Sequence, residues 1–344
     1  MGAITLATLH KGAQTIVFDR HPVLLAHSAI AGKKEGDGPL AKYFDYIGKD
    51  TRLGQKTWEK AETKLQELAL DTAARKAALP YADLDALFAG DLLNQCISSA
   101  FAIRDTRIPF LGLYGACSTM AESLALAAAA VNAGYAEHAA ALTSSHFATA
   151  ERQYRFPLGY GGQRTPTAQW TVTGSGCCIL GSSGKGPFVN CATIGRIEDY
   201  GIKDANTMGA AMAPAAYSTL RAHFQDTGLK PQDYDLIVTG DLGTLGSAIV
   251  TDLFRRDGIA FGANYRDCGV LIYDLERQDV HAGGSGCGCG ASVLCGYLLS
   301  QLEQRKIESL LFCATGALMS PVSTWQGESI PAICHAVSIS NERR

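Results

Sequence analysis

The chain has 344 residues, of which 47% are hydrophobic and 18% are charged, and its formal net charge is −3. This length and composition suit one large domain or two similar ones with a sizeable buried core. Lys and Arg form no block, so we expect no nucleic-acid partner. Without an N-terminal leader pattern or a long apolar run, we expect neither a signal peptide nor a transmembrane helix.

Short apolar runs between polar or Gly-rich segments predict strands that are buried on both faces. In chain order these runs cover residues 87–89, 139–143, 177–180, 236–239, 270–273 and 310–314. Two helices rich in small residues are predicted at 118–133 and 291–304. Because the first is apolar nearly all round, it must lie between two layers of structure. The pattern predicts a layered α/β fold with two buried central helices.

Two stretches of the chain repeat each other. Residues 65–93 and 217–243 each contain an amphipathic helix, a break with Pro, an acidic pair, a buried strand and Gly-Asp-Leu. Residues 115–146 and 286–317 each contain a Gly/Cys turn, a helix and an apolar strand. The shared order of these units indicates duplication. We therefore expect two similar halves, residues 1–180 and 181–344.

The chain contains eleven cysteines but no Cys-x-x-Cys pair, and most of them lie in apolar runs. This pattern fits reduced, buried side chains better than a zinc site or a disulfide framework. No metal site and no cofactor is predicted.

The segments "GACSTM" (115–120), "TVTGSGCCIL" (171–180) and "AGGSGCGCGASVL" (282–294) resemble the thiolase-like fold of thiolases, β-ketoacyl synthases and chalcone synthases. The resemblance implies two duplicated halves in an αβαβα arrangement with two buried central helices. It also implies that Cys117, at the start of the first buried helix, occupies the position of the nucleophile.

A narrower resemblance covers the whole chain, which is similar to the stage V sporulation protein AD family of spore-forming Firmicutes. The most specific segment is "RQYRFPLGYGGQRTPTAQWTVTGSG" (152–176). It is supported by "TWEKAE" (57–62), "SSHF" (144–147), "DYGIKDANTMGAAMAPAA" (199–216), "DCGVLIYD" (267–274), "HAGGSGCGCGASV" (281–293) and "ATGALMSP" (314–321). The resemblance implies binding of pyridine-2,6-dicarboxylate (dipicolinate) in sporulation and germination, without catalysis.

Catalysis by Cys117 would require more than a thiol at a helix N-terminus, where the helix dipole lowers the thiol pKa. A condensing enzyme also needs two groups, usually His/His or His/Asn, to stabilise the enolate and the oxyanion. The loop expected to carry one such His holds Gly240, Asp241 and Gly243 instead. An ionised Asp241 would oppose an enolate, so we predict a retired active site. A cysteine-dependent acyl-transferring or condensing enzyme is the alternative.

A flat aromatic dicarboxylate requires an apolar slot, hydrogen-bond donors and a cation. On this basis the predicted ligand-binding residues are Cys117, Ser118, Ser144, His146, Arg155, Arg164, His281 and Gly283. Each has a structural alternative: His146 as a satisfied core histidine, the arginines in an interface or surface ion pair, Ser144 as a strand end, and "GCGCG" as close helix packing.

The family resemblance implies the remaining expectations. The ligand is dipicolinate, either free or as its calcium chelate. The partners are membrane-embedded proteins of a spore dipicolinate transport apparatus, with the chain peripheral to the spore inner membrane. Thiolase-like proteins usually pair as dimers, so a homodimer is expected by analogy. A purely structural member of a membrane complex, indifferent to ligand, is a third possibility.

Overall fold

A computed structural model describes residues 9–154, 163–261 and 263–343. The strands, in chain order, are β1 (His10–Lys11), β2 (Thr15–Val17), β3 (Val23–Ala31), β4 (Tyr46–Ile47), β5 (Ala86–Gly90), β6 (Phe110–Gly112), β7 (His138–Ser145), β8 (Trp170–Thr171), β9 (Gly174–Gly181), β10 (Phe188–Thr193), β11 (Leu236–Thr239), β12 (Tyr265–Asp267), β13 (Gly284–Ser285), β14 (Ser309–Ala317) and β15 (Ala332–Ser340).

The α-helices are α1 (Lys33–Gly36), α2 (Trp58–Ala77), α3 (Ile97–Ile103), α4 (Thr119–Ala133), α5 (Phe147–Tyr154), α6 (Met208–Thr227), α7 (Gly243–Arg256), α8 (Cys268–Leu271), α9 (Cys287–Ser292), α10 (Leu299–Glu303) and α11 (Pro321–Trp325). A π-helical segment, Val293–Leu298, joins α9 to α10, so that the three form one continuous buried helix. In the part of the chain that the structure describes, no helix combines the length and apolar character needed to cross a bilayer.

The main sheet has two halves with the same internal order. It runs β12-β11-β14-β15-β10-β3-β9-β7-β5-β6, with the short strands β1, β2 and β4 beside this path. In each half the first three strands from the centre are antiparallel and the last two continue parallel to the third. The repeated topology agrees with the sequence repeat, while the exact division at residue 180 stays a prediction.

Two repeated aspartates have the same role in the two halves. Asp85 Oδ2 accepts hydrogen bonds from the backbone N–H groups of Glu137 and His138, where β7 begins. Asp235 Oδ2 accepts the same pair of bonds from Glu308 and Ser309, where β14 begins. Each carboxylate thus fixes the register of the next parallel strand.

The two central helices lie between the halves of the sheet. Helix α4 packs against β5 and β7 of its own half and against β14 and β15 of the other, and α9 packs against β3, β7 and β9. Helix α2 covers the outer face of one half and α6 that of the other. A Cβ atom on Gly288 would lie 2.5 Å from Ser145 Oγ and 2.6 Å from the Gly174 carbonyl oxygen, so "GCGCG" serves close packing.

One predicted strand is wrong. Residues 270–273 follow the start of helix α8, because the Asp267 side chain accepts a hydrogen bond from Val270 N and caps a helical turn. The strand of this segment is β12, five residues earlier along the chain. The second central helix begins at Cys287, before the predicted residue 291. All eleven cysteines are buried, and none of them forms a disulfide bond.

Candidate functional site

Cys117 lies at the start of α4, in a tight turn where the two halves meet. Ala116 has a φ of 50°, a left-handed conformation that is uncommon for a residue other than Gly. The Ser118 hydroxyl donates to the Gly115 carbonyl oxygen (2.7 Å). A Cβ atom on Gly316 of β14 would lie 2.2 Å from that same oxygen, so β14 abuts the turn directly. The backbone around Cys117 is therefore fixed from both sides.

The polar partner of Cys117 is a carboxylate. Asp241, which follows β11, accepts a hydrogen bond from the Cys117 side chain. It also accepts hydrogen bonds from Gly286 N (2.9 Å) and the Thr315 hydroxyl (2.9 Å). Burial raises the pKa of Asp241 to about 6, and these donors limit the rise. Asp241 is therefore mostly ionised at neutral pH, directly beside the thiol.

Cys117 opens on a narrow cavity of about 40 Å³, enough for about three water molecules. Its described lining combines apolar side chains with four hydroxyls and the thiol: Leu92, Tyr114, Ala116, Cys117, Ala150, Tyr154, Thr171, Met208, Ser285, Ala317 and Met319. Among these described residues there is no His, Lys or Arg. The cavity thus favours an aromatic or apolar group without net negative charge.

Two tyrosines form one wall of this cavity. The hydroxyls of Tyr114 and Tyr154 lie 2.6 Å apart, and the Tyr154 hydroxyl donates to the Leu92 carbonyl oxygen. Burial raises the pKa of Tyr114 to about 12 and that of Tyr154 further. Both therefore stay protonated and neutral. Sequence reasoning missed them, although Tyr114 lies three residues before Cys117.

Ser144 and Ser118 do not line the cavity. The Ser144 hydroxyl donates to Glu62 (3.2 Å) and accepts a hydrogen bond from Gln66 (2.8 Å). Gln66 also donates to Ser99, whose hydroxyl donates to Asp91. Burial and the charge of Asp91 raise the pKa of Glu62 to about 8. Ser144 thus belongs to a buried polar network.

His146 is a hydrogen-bonded core histidine that faces another cavity. Its Nδ1 accepts a hydrogen bond from Ala148 N (3.1 Å), which leaves Nε2 as the donor to the Thr51 carbonyl oxygen (2.7 Å). Burial lowers the pKa of His146 and favours the neutral ring. It lines a second cavity together with Lys34, Trp58 and Trp170.

Three further predicted residues lie near Trp170, away from Cys117. The guanidinium of Arg164 lies 4.6 Å from the Trp170 ring centre and pairs with Asp279 (3.1 Å), which also contacts His281 (3.2 Å). Gly283 accepts a hydrogen bond from Trp170 N (2.8 Å). Arg155 lies outside the described residues. Of the described predicted residues, Cys117 thus lines the first cavity and His146 the second, whereas the others line neither of these two cavities.

Comparison with known proteins gives two results. The family model of Stage V sporulation protein AD (SpoVAD) matches residues 12–340. The Stage V sporulation protein AD of Bacillus subtilis (strain 168) is 46% identical over 327 residues, which cover 95% of this chain and 96% of that protein.

Solved structures with the same fold are more distant in sequence. The 3-oxoacyl-[acyl-carrier-protein] synthase III of Aquifex aeolicus VF5 has a TM-score of 0.58 and 12% identity, covering 93% of this chain and 99% of that one. Cerulenin-bound OleA of Xanthomonas campestris has a TM-score of 0.60 and 13% identity, covering 94% and 100%. The predicted thiolase-like fold is confirmed.

Proposed function

The chain belongs to the stage V sporulation protein AD family, and from this premise we propose that it binds dipicolinate without converting it. The cavity at Cys117 is the proposed binding site. It stands where the thiolase-like resemblance implies a nucleophile, and its aromatic and hydroxyl lining suits a flat heteroaromatic ligand. The ring enters when the flexible side chains of Met208 and Met319 move aside.

The contact between Asp241 and Cys117 carries the proposal that the site is not catalytic. A buried negative charge beside the thiol opposes formation of the thiolate. The same charge opposes an enolate or oxyanion, which a condensing enzyme must stabilise. Cysteine-dependent acyl transfer is the competing function, and it predicts that an acyl-thioester labels Cys117.

The charge of the site favours the calcium chelate of dipicolinate over the free dianion. The described lining residues supply no cation, and two of them donate hydrogen bonds to carboxylates: Cys117 to Asp241 and Thr171 to Glu151. Burying an uncompensated dianion there is costly, whereas calcium neutralises it. We therefore expect dipicolinate to bind this cavity more tightly when calcium is present.

We also propose that the chain works as a homodimer at the spore inner membrane, held there by membrane-embedded proteins of a dipicolinate transport apparatus. The dimer proposal rests on strand β6 at one edge of the sheet, which leaves backbone groups available for pairing. Leu111 of β6 is 49% exposed, and in the neighbouring helix α3 Phe101 is 47% and Ile97 40% exposed. These side chains form an apolar surface at the edge.

The test is calorimetric titration with dipicolinate, with and without calcium, using benzoate and an acyl-thioester as controls. Ala317→Leu fills the cavity and should abolish binding there. Cys117→Ala should weaken it about fivefold, because the variant removes the sulfur atom that packs against the ligand, a loss of about 1 kcal/mol. Cys191→Ala is the matched control, because Cys117 and Cys191 are both 7% exposed but only Cys117 lines the cavity.

Unchanged affinity in both cavity variants would remove the Cys117 cavity from the binding site. Covalent labelling of Cys117 by the thioester would instead support acyl transfer.

A further inference from the structure

A second cavity, of about 230 Å³, is larger than the one at Cys117 and has a different character. It lies where the end of β3 meets the starts of α2 and α5. Its described lining consists of Gly32, Lys33, Lys34, Glu35, Thr51, Trp58, His146, Phe147, Ala148, Trp170 and Thr173. We call it the Trp170 cavity.

Three aromatic rings line the Trp170 cavity. The rings of Phe147 and Trp170 are stacked, with centres 3.8 Å apart and planes inclined by 11°. Trp58, at the start of α2, supplies the third ring. Phe147 and Trp170 each cover one face of the other, so a flat occupant would stack on the outer face of Phe147 or on Trp58, and such stacking adds to the burial of apolar area.

Two cations lie over the Trp170 ring. Lys34 Nζ lies 3.9 Å from its centre, and Arg164 Cζ lies 4.6 Å from it. Both side chains donate to the backbone carbonyl oxygen of Asp279. Arg164 Nη1 is buried and has no hydrogen-bond partner among the described residues, so it remains able to donate to an anion.

More cations lie over Trp58, where Arg52 Cζ is 5.4 Å and Arg152 Cζ is 5.7 Å from the ring. Arg152 also forms an ion pair with Glu59. The acid in the cavity lining is Glu35, which accepts hydrogen bonds from Thr173 N and the Tyr273 hydroxyl. Burial raises the pKa of Glu35, which favours its neutral form. Asp279, which pairs with Arg164, adds one further negative charge, but the cations still outnumber the ionised acids, so the balance of charge around the cavity is positive.

We propose that the Trp170 cavity is a second ligand site, for the free dianion of a planar aromatic dicarboxylate. The ring lies against Phe147 and Trp58, and the carboxylates are held by Lys33 and Lys34, with Arg164 beside Lys34 over the Trp170 ring. Charge-assisted hydrogen bonds between such cations and carboxylates are strong and directional. The site needs neither Cys117 nor calcium, so it goes beyond the function proposed above.

The test uses tryptophan fluorescence in a Trp325→Phe background. Trp325 is 83% exposed, and its removal leaves only Trp58 and Trp170, both in the cavity. Dipicolinate and its carbon analogue benzene-1,3-dicarboxylate are titrated without calcium, with the uncharged benzene-1,3-dicarboxamide as control. We expect saturable quenching by both dianions and none by the diamide.

Lys34→Met removes a cation but keeps the length of the side chain. It should lower the affinity measured by the quenching about tenfold. Lys42→Met is the matched control, because Lys42 Nζ lies 5.1 Å from the Tyr43 ring and does not line the cavity. Lys42→Met and Cys117→Ala should leave the titration unchanged. Equal affinity in Lys34→Met would overturn the proposal.

Quenching that is lost in Cys117→Ala would also overturn it, and would place the ligand in the Cys117 cavity. Conversely, quenching that depends on Lys34 supports the second site even when calorimetry finds no binding at Cys117. The two proposals can therefore fail separately.

Discussion

Replacing Asp241 with Asn tests the buried charge on which the proposal of a non-catalytic function rests. The side chain keeps its shape and one acceptor oxygen but loses its charge. In the wild type the folded state raises the pKa of this carboxyl from 3.8 to about 6, because burial penalises the ion. The folded protein therefore holds the proton more tightly than the unfolded chain does. Its stability must fall as the pH rises through this interval.

The size of the effect follows from the shift in pKa. A rise of about two units, at 1.36 kcal/mol per unit, corresponds to a loss of about 3 kcal/mol over the whole titration, of which about 2 kcal/mol falls between pH 4 and 6. Asn does not titrate, so the stability of the variant lacks this dependence on pH. One of the two oxygens that accept hydrogen bonds from Gly286 N and Thr315 becomes an amide nitrogen, which cannot accept. The loss of that one hydrogen bond costs about 1–2 kcal/mol at every pH.

The assay is urea unfolding of both proteins at intervals from pH 4 to 6.5. All other titrating groups are shared, so the difference between the two free energies of unfolding isolates Asp241. We expect Asp241→Asn to be less stable than the wild type at pH 4 and to gain about 2 kcal/mol relative to it by pH 6.5. The interval stops there because the Asp241 charge also helps to raise the pKa of Asp267, to about 7. A difference that stays constant with pH would refute the reasoning.

Three further predictions concern packing, the core histidine and assembly. Gly288→Ala should lower the free energy of urea unfolding by about 1–3 kcal/mol, because its Cβ would meet the backbone of β7 and β9. Gly290→Ala is the control, because its Cβ would meet a side-chain carbon of Phe312 at 3.3 Å and no backbone atom outside its own helix closer than 3.7 Å. His146→Ala should lose about 2–4 kcal/mol at pH 7 by leaving Thr51 O and Ala148 N unpaired. Because burial lowers the pKa of His146, this advantage of the wild type should shrink in the same assay as the pH falls below 6.5, and a gap that does not change would contradict the assignment of a neutral ring. Leu111→Lys should convert the proposed dimer to a monomer in analytical ultracentrifugation, and an unchanged sedimentation coefficient would place the interface elsewhere.

The fold could be predicted because the same order of helices, strands and turn residues occurs twice in the sequence. The acidic residues before β5 and β11 recur with the same spacing, and the structure gives Asp85 and Asp235 the same pair of backbone hydrogen bonds. The central helix at 118–133 was recognisable because a helix apolar on all sides can only be buried. The strand predicted at 270–273 was wrong for a local reason, because a short apolar run does not show that Asp267 caps a helix there.

The site could be predicted only in part, because position along a strand does not give the direction of a side chain. Ser144 and His146 both follow the apolar run of β7, yet one joins the network around Glu62 and the other faces the Trp170 cavity. Lys34 gave no signal because the residues that surround it, such as Trp170, are far away in the chain. Only the tertiary fold brings them together.

The repeat also shows how one duplicated position makes different contacts in the two halves. Asp91 and Asp241 end the same Gly-Asp pair in the two halves, but their partners differ. Asp91 accepts hydrogen bonds from its own half, at Leu93 N and Ser99. Asp241 reaches across to Cys117 of the other half. The repeated carboxylate thus supports a loop within its own half at Asp91, whereas at Asp241 it contacts the Cys117 thiol across the two halves.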